Sequence, residues 1–249
     1  MSLTKPDELF YCEKKYINLE LNSASLVGQE AIHCSKVLRY KEGDELFFTD
    51  AESVLYRGIL SRIKKGEVDI QILYYEALPD ENEKSYPIIC IGVLKNKERM
   101  EWLIEKAVEI GVSAIYFIHF KRSERSKINL DRFKIIALSA MKQSQRLQIP
   151  RIEYFESLDD YLNVQKNYSY KHFVAHEKVN SNNSFHHFLK KKLATEKPVF
   201  WIGPEGGFTQ EEVMELKQNV SAIPISLGNY RLRAETAALF VLANTSYNN

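Results

Sequence analysis

The chain reads as an α/β protein: a mostly parallel sheet with flanking helices, preceded by a small β-barrel domain. Three observations lead there. After residue 88, short apolar runs alternate with amphipathic helical segments, the pattern of a sheet covered on both faces. The first 75 residues instead show two-residue alternation and turn signals around one helix. Between the two lies Glu76-Ala77-Leu78-Pro79-Asp80-Glu81-Asn82-Glu83-Lys84-Ser85-Tyr86-Pro87, polar, charged and bounded by prolines, which reads as a linker. The expected division is therefore a barrel over residues 1–75, a linker over 76–87 and an α/β domain over 88–249.

In the first part, Val68, Ile70, Ile72 and Tyr74 alternate with Asp69, Gln71 and Leu73, as in a strand with one buried face. Residues 56–63, the turn Lys64-Lys65-Gly66 and that strand predict a hairpin. A helix is expected over residues 29–39, followed by the turn Glu42-Gly43-Asp44.

In the second part, residues 88–94 form an apolar strand. A helix over 98–110 carries Met100, Leu103, Ile104, Ala107 and Val108 on one face, and Gly111 closes it. A strand over 114–119 and a helix over 130–144 follow, the helix ending before Pro150. Further strand or helix candidates fall at 172–176, 185–193, 199–202, 210–219, 222–227 and 233–246.

At 249 residues the chain suits one large domain or two modest ones. With 45% hydrophobic and 27% charged residues it has an ordinary globular composition, and a net charge of +1 excludes a globally basic nucleic-acid binder. Any RNA site must be a local basic patch. Cys12, Cys34 and Cys90 are isolated, which points to a reduced intracellular protein without zinc, other metal or disulfides. No apolar run reaches the ~20 residues needed to span a bilayer, and the first ten residues lack an apolar signal core. A cytoplasmic location is expected.

Two glycine corners carry the chemistry. Val199-Phe200-Trp201-Ile202 is an uninterrupted apolar strand. Gly203-Pro204-Glu205-Gly206-Gly207-Phe208 then turns, and Thr209 with Glu212 marks a capped helix start. Nucleotide-like ligands bind at such strand ends in open α/β sheets. The glycines do not follow G-x-G-x-x-G and no Walker lysine follows them, so a standard dinucleotide or triphosphate is not implied. The second corner is Ile225-Ser226-Leu227-Gly228-Asn229-Tyr230-Arg231-Leu232-Arg233-Ala234-Glu235-Thr236-Ala237-Ala238, again a strand, a glycine and a helix start. The two loops could face one pocket, with Arg233, Glu235 and Thr236 in the first helical turn beside it. On charge alone, Arg233 and Glu235 read equally well as a surface ion pair worth ~0–1 kcal/mol. Ala237 and Ala238 read as close helix packing.

Together the corners resemble the SPOUT (trefoil-knot) RNA methyltransferases, most closely the RsmE family, which methylates N3 of a uridine in 16S ribosomal RNA. Gly203-Pro204-Glu205-Gly206-Gly207-Phe208, and Leu227-Gly228 followed by Leu232-Arg233-Ala234-Glu235-Thr236-Ala237, match its two most recognisable motifs. His33, Val37-Leu38-Arg39 and Gly43-Asp44 look like its N-terminal PUA-like barrel. Glu105-Lys106-Ala107, Glu109-Ile110-Gly111, Arg122 to Arg125, and Gln143-Ser144-Gln145-Arg146 with Pro150 look like its middle section. Asn229-Tyr230-Arg231 and Met141-Lys142 depart from the pattern expected there.

The resemblance implies S-adenosyl-L-methionine as cofactor and a homodimer acting on 16S rRNA in the small ribosomal subunit. It also implies a C-terminal segment threaded as a knot, where connection rules alone would draw an unknotted sheet. It places the cofactor against Ile202, Gly203, Glu205, Gly207, Leu227, Gly228, Leu232 and Thr236, with Val174 and His176 completing the wall; His176 also reads as an ordinary loop histidine. Arg233 becomes the catalytic candidate and Glu235 its orienting or proton-moving partner. Lys36, Arg39, Arg122, Arg125 and Arg146 become candidate RNA contacts, whereas Lys190-Lys191-Lys192 reads as a solvated helix end. Two alternatives remain at this stage: a knotted methyltransferase acting on another rRNA or tRNA base, and a non-catalytic RNA-binding assembly factor.

Overall fold

A computed structural model describes residues 8–79, 86–124, 127–164, 170–176, 185 and 197–246. The chain divides into two compact units, Met1–Glu81 with Leu138–Ile149, and Asn82–Ala137 with Pro150–Asn249.

The first unit contains β1 (Leu9–Tyr11), β2 (Ile17–Asn18), β3 (Ser23–Val27), α1 (Gly28–Ile32), β4 (Glu45–Thr49), β5 (Val54–Lys64) and β6 (Glu67–Ala77). They form a six-stranded sheet in the order β1-β4-β5-β6-β3-β2, parallel only between β1 and β4. The β5–β6 hairpin lies where the turn chemistry put it, and β6 buries Val68, Ile70 and Ile72. Tyr74 leaves that pattern and stands exposed, and β6 runs on to Ala77, two residues into the segment read as linker. Residues 80–85 of that segment lie outside the described residues. The expected helix over 29–39 is α1 continued by a π-helical turn at His33–Val37. Phe10, Leu26, Leu46, Phe48, Leu60 and Ile70 form the core between sheet and helix.

Residues 138–149 complete this unit, which no local pattern announced. Leu147 packs with Leu9 and Leu55, and its carbonyl accepts a 3.3 Å hydrogen bond from the Thr49 hydroxyl. The unexpected Met141-Lys142 pair has a role here: Met141 is fully buried and Lys142 pairs with Glu30, whose other oxygen accepts the Tyr11 N–H.

The second unit contains β7 (Ile88–Gly92), α2 (Lys97–Ile110), β8 (Ala114–Ile118), the start of α3 (Leu130–Gln143), β9 (Arg151–Phe155), α4 (Leu158–Val164), β10 (Lys171–Ala175), β11 (Pro198–Ile202), α5 (Gln210–Val220), β12 (Ile223–Ile225) and α6 (Ala234–Ser246). Its sheet runs β12-β10-β11-β7-β8-β9, parallel throughout. Every residue of β7, β8 and β11 is buried, which is why these strands read as continuous apolar runs. In α2 the Asn96 side chain caps the first turn, and the five apolar residues of the expected face are all buried. Gly111 ends α2 with φ at 109°.

The strand β9 and helix α4 were not anticipated. β9 is an edge strand whose exposed Arg151 and half-buried Glu153 and Tyr154 dilute the apolar signal, and α4 is only seven residues long. Of the helix expected over 185–193, only Phe185 lies among the described residues.

Candidate active site

In the second unit, β11 lies between β10 and β7, so the chain's progression across the sheet reverses there. Ligands bind outside the carboxyl ends of strands at such a switch point. Both glycine corners leave the sheet at these ends and line one cavity of about 620 Å³.

The first corner is held from several sides. Pro204 crosses Gly92 at the end of β7 so closely that a Cβ on Gly92 would lie 2.5 Å from the proline ring, leaving room for glycine alone. The Glu205 carboxylate accepts the Lys95 N–H at 3.1 Å. Thr209 and Glu212 form the expected capping box at the start of α5, with bonds of 2.7 and 3.2 Å. The second corner follows β12, where Gly228 takes φ of 133°, a conformation that L side chains rarely adopt. His176 joins the wall from the end of β10, its N–H bonded to the Ile225 carbonyl at 3.0 Å.

Glu235, in the first turn of α6, is only 6% exposed. Its carboxylate lies 3.6 Å from Nε of Arg99 on α2. Among the described residues, the ion pair at this corner is therefore Arg99–Glu235 in place of a surface Arg233–Glu235 pair. Arg233 is exposed at the mouth, directly before α6, where its carbonyl accepts the Ala237 N–H at 2.8 Å. Tyr230, 88% exposed, stands beside it on the rim. Arg99, Arg122, Arg231 and Arg233 line the cavity against the carboxylates of Glu205 and Glu235, so the site carries an excess of guanidinium groups.

Ile202, Gly203, Glu205, Gly207, Leu227, Gly228, Leu232, His176, Arg233 and Glu235 are thus gathered in one place. Val174 is not: it is fully buried in the core with Val199 and Trp201, and Ala175 is the β10 residue that reaches the wall. Successive side chains of a strand face opposite ways, so one residue decides it. Thr236 is exposed and also does not line the cavity, which its neighbours Glu235 and Ala237 do. Ala237 and Ala238 are buried as helix-packing residues.

Of the candidate RNA contacts, Lys36 and Arg39 are exposed in the first unit, Arg39 with φ of 58°. Arg146 is only 8% exposed and does not offer an open cationic surface. Arg125 lies outside the described residues. Arg122 belongs to the cavity itself, donating from Nη1 to the carbonyls of Gly206 and Phe208, both at 3.2 Å. Sequence reasoning missed Arg99, Ser226 and Tyr230 as lining residues. Arg99 sits on the polar side of α2 with no local signal, and only the packing of α2 beside α6 brings it to Glu235.

Among the described residues no helix is long and apolar enough to cross a membrane, and no three His, Cys, Asp or Glu side chains gather as a metal site. The three cysteines are free and buried. Burial pushes the Cys12 thiol up to about 12 and the Cys34 thiol to about 11.

The RNA methyltransferase domain profile matches residues 82–246, and the RNA methyltransferase PUA domain profile matches residues 27–73. The ribosomal RNA small subunit methyltransferase E of Mesomycoplasma hyopneumoniae (strain 232) is 31% identical over 233 residues, covering 91% of this chain and 96% of its own. The crystal structure of a probable rRNA-methyltransferase from Porphyromonas gingivalis matches with a TM-score of 0.78 at 29% identity, covering 96% of this chain and 99% of that one. A ribosomal RNA small subunit methyltransferase E from Neisseria gonorrhoeae, solved bound to S-adenosyl methionine, shares the fold with a TM-score of 0.73 at 24% identity, covering 95% of both chains. With the domain profile spanning most of the chain and both glycine corners in place, the chain belongs to the RNA methyltransferase family that includes the ribosomal RNA small subunit methyltransferase E proteins.

Proposed function

We propose that this protein methylates N3 of a specific uridine in 16S rRNA of the small ribosomal subunit, using S-adenosyl-L-methionine. The observation that carries the proposal is the single cavity lined by both glycine corners with Arg233 at its mouth. A volume of about 620 Å³ suits a nucleoside-sized ligand, and glycines in the lining let such a ligand approach the main chain closely. Gly203, Gly207, Leu227 and Gly228 would hold the cofactor by their backbones, with Ile202 and Leu232 packing the purine. When bound, S-adenosylmethionine supplies an electrophilic methyl group.

The chain's own residues do the rest. A uracil must leave its stack to reach the cavity, at a cost of a few kcal/mol that falls in irregular RNA. Loss of the N3 proton to solvent water leaves its electron pair on the ring, with the negative charge spread over O2 and O4, and the Arg233 guanidinium stabilises that charge. Glu235, paired with Arg99, fixes the first turn of α6 and so the backbone from which Arg233 projects. Lys36 and Arg39 in the PUA unit supply phosphate contacts that carry no sequence information. With this reading go a cytoplasmic location, a homodimer and the trefoil knot of the SPOUT fold.

The test is mass-spectrometric mapping of nucleosides after reaction with unmodified small subunits. The expected product is 3-methyluridine at one 16S position. Methyl on another base would reassign the substrate, and cofactor binding without methyl transfer would leave an assembly factor.

A further inference from the structure

Three consecutive residues after β8 grip the first glycine corner, each by a different interaction. The Phe120 ring meets Phe208 edge-on, with centroids 4.9 Å apart. The Lys121 N–H donates to Oε1 of Glu212 at 2.7 Å, while Oε2 of the same carboxylate accepts the Thr209 N–H at 2.7 Å. Glu212 is only 3% exposed, so one buried carboxylate ties the 120–122 strap to the start of α5. Arg122 then donates from Nη1 to the Gly206 and Phe208 carbonyls, both at 3.2 Å. The strap lies so close that a Cβ on Gly206 would come within 2.9 Å of the Arg122 Cβ.

From this geometry we infer that Arg122 is a positioning residue of the cofactor corner, where its place in a basic run reads as a phosphate grip. Its guanidinium is committed to two carbonyls of the turn, and satisfying them fixes how the Gly206–Phe208 peptides face the cavity. Lys121 donates only through its backbone, so its ammonium group is not used by the clasp. Residues 121–127 therefore combine two functions: the Lys121 backbone and Arg122 hold the cofactor corner, and the Lys121 ammonium and the basic side chains beyond Arg122 are those left for RNA. The inference rests on the cavity being the cofactor site.

The test is titration calorimetry of the full chain with S-adenosylmethionine, with kinetics on small subunits. Arg122→Ala is expected to weaken cofactor binding about tenfold, the loss of charge-assisted bonds that hold the turn. It should raise KM for the cofactor while kcat at saturation stays within about twofold. Arg122→Lys, which can reach one carbonyl, should recover part of the affinity. The salt slope of RNA binding should stay at its wild-type value. Gly206→Ala strains the same contact from the other side, and the double variant should be no worse than the weaker single one. If Arg122→Ala is itself unstable, Arg122→Lys and Gly206→Ala decide the matter. Wild-type affinity in Arg122→Ala, or in both of those, would overturn the inference. So would a flattened salt slope with cofactor affinity intact. A wild-type chain that takes up no S-adenosylmethionine would overturn the cavity assignment as well, so the two failures are distinguishable.

Discussion

His172 on β10 offers a prediction about the sheet that carries both corners. It is 7% exposed, and its Nδ1 accepts the indole N–H of the fully buried Trp201 on β11 at 3.1 Å. Only the neutral ring with an unprotonated Nδ1 can accept that bond. Burial lowers the imidazole from 6.5 to about 4. In the unfolded chain the same ring protonates near 6.5, so between 6.5 and about 4 the unfolded state binds a proton that the folded state refuses. The contribution is therefore complete above 6.5, declines as pH falls, and is gone below about 4. It totals about 3 kcal/mol, of which about 2 kcal/mol is lost between about pH 7 and pH 5. For a chain of this size that is a drop of about 4–8 °C in melting temperature. The assay is thermal or urea unfolding across that range, comparing wild type with His172→Gln, which keeps an acceptor but does not titrate. The wild type should lose about 2 kcal/mol more than the variant on acidification. Parallel pH curves for the two proteins would refute the reasoning.

The remaining predictions concern the cavity. Arg233→Ala should leave cofactor affinity near wild type and reduce methyl transfer by well over ~10-fold in a tritiated-methyl assay; unchanged turnover would remove Arg233 from the chemistry. Glu235→Ala leaves the Arg99 guanidinium without its buried carboxylate and should lower stability by ~1–3 kcal/mol as well as turnover. Adding Arg99→Ala should cost little more, so an additive double-mutant cycle by calorimetry would show that the two do not act as a pair. Tyr230 is 88% exposed on the rim, so under the proposed function its ring would stack on an extruded base. Tyr230→Ala should raise KM for small subunits about 5–100-fold, Tyr230→Phe should behave as wild type, and cofactor binding should change in neither.

The residues that announce a helix end, a turn or a buried strand act over a few positions, so the sequence alone determined those features well. The Thr209–Glu212 capping box, the Gly111 cap and the apolar face of α2 are local, and each stands where its pattern put it. The family motifs likewise named both corners, because a turn that admits a ligand needs glycine whatever surrounds it. What joins the corners is a matter of which apolar surfaces cover one another, and that is set by contacts far apart in the chain. Only the tertiary structure set β11 between β10 and β7, and so gathered 175–176, 202–208 and 226–235 around one cavity. It sent Val174 into the core and Ala175 to the wall, gave Glu235 the partner Arg99, buried Arg146 and added residues 138–149 to the first unit. It also placed Arg122, one cation in a basic run by sequence, on two carbonyls of the glycine turn, because a side chain's neighbours are chosen by packing and its own flanking residues do not encode them.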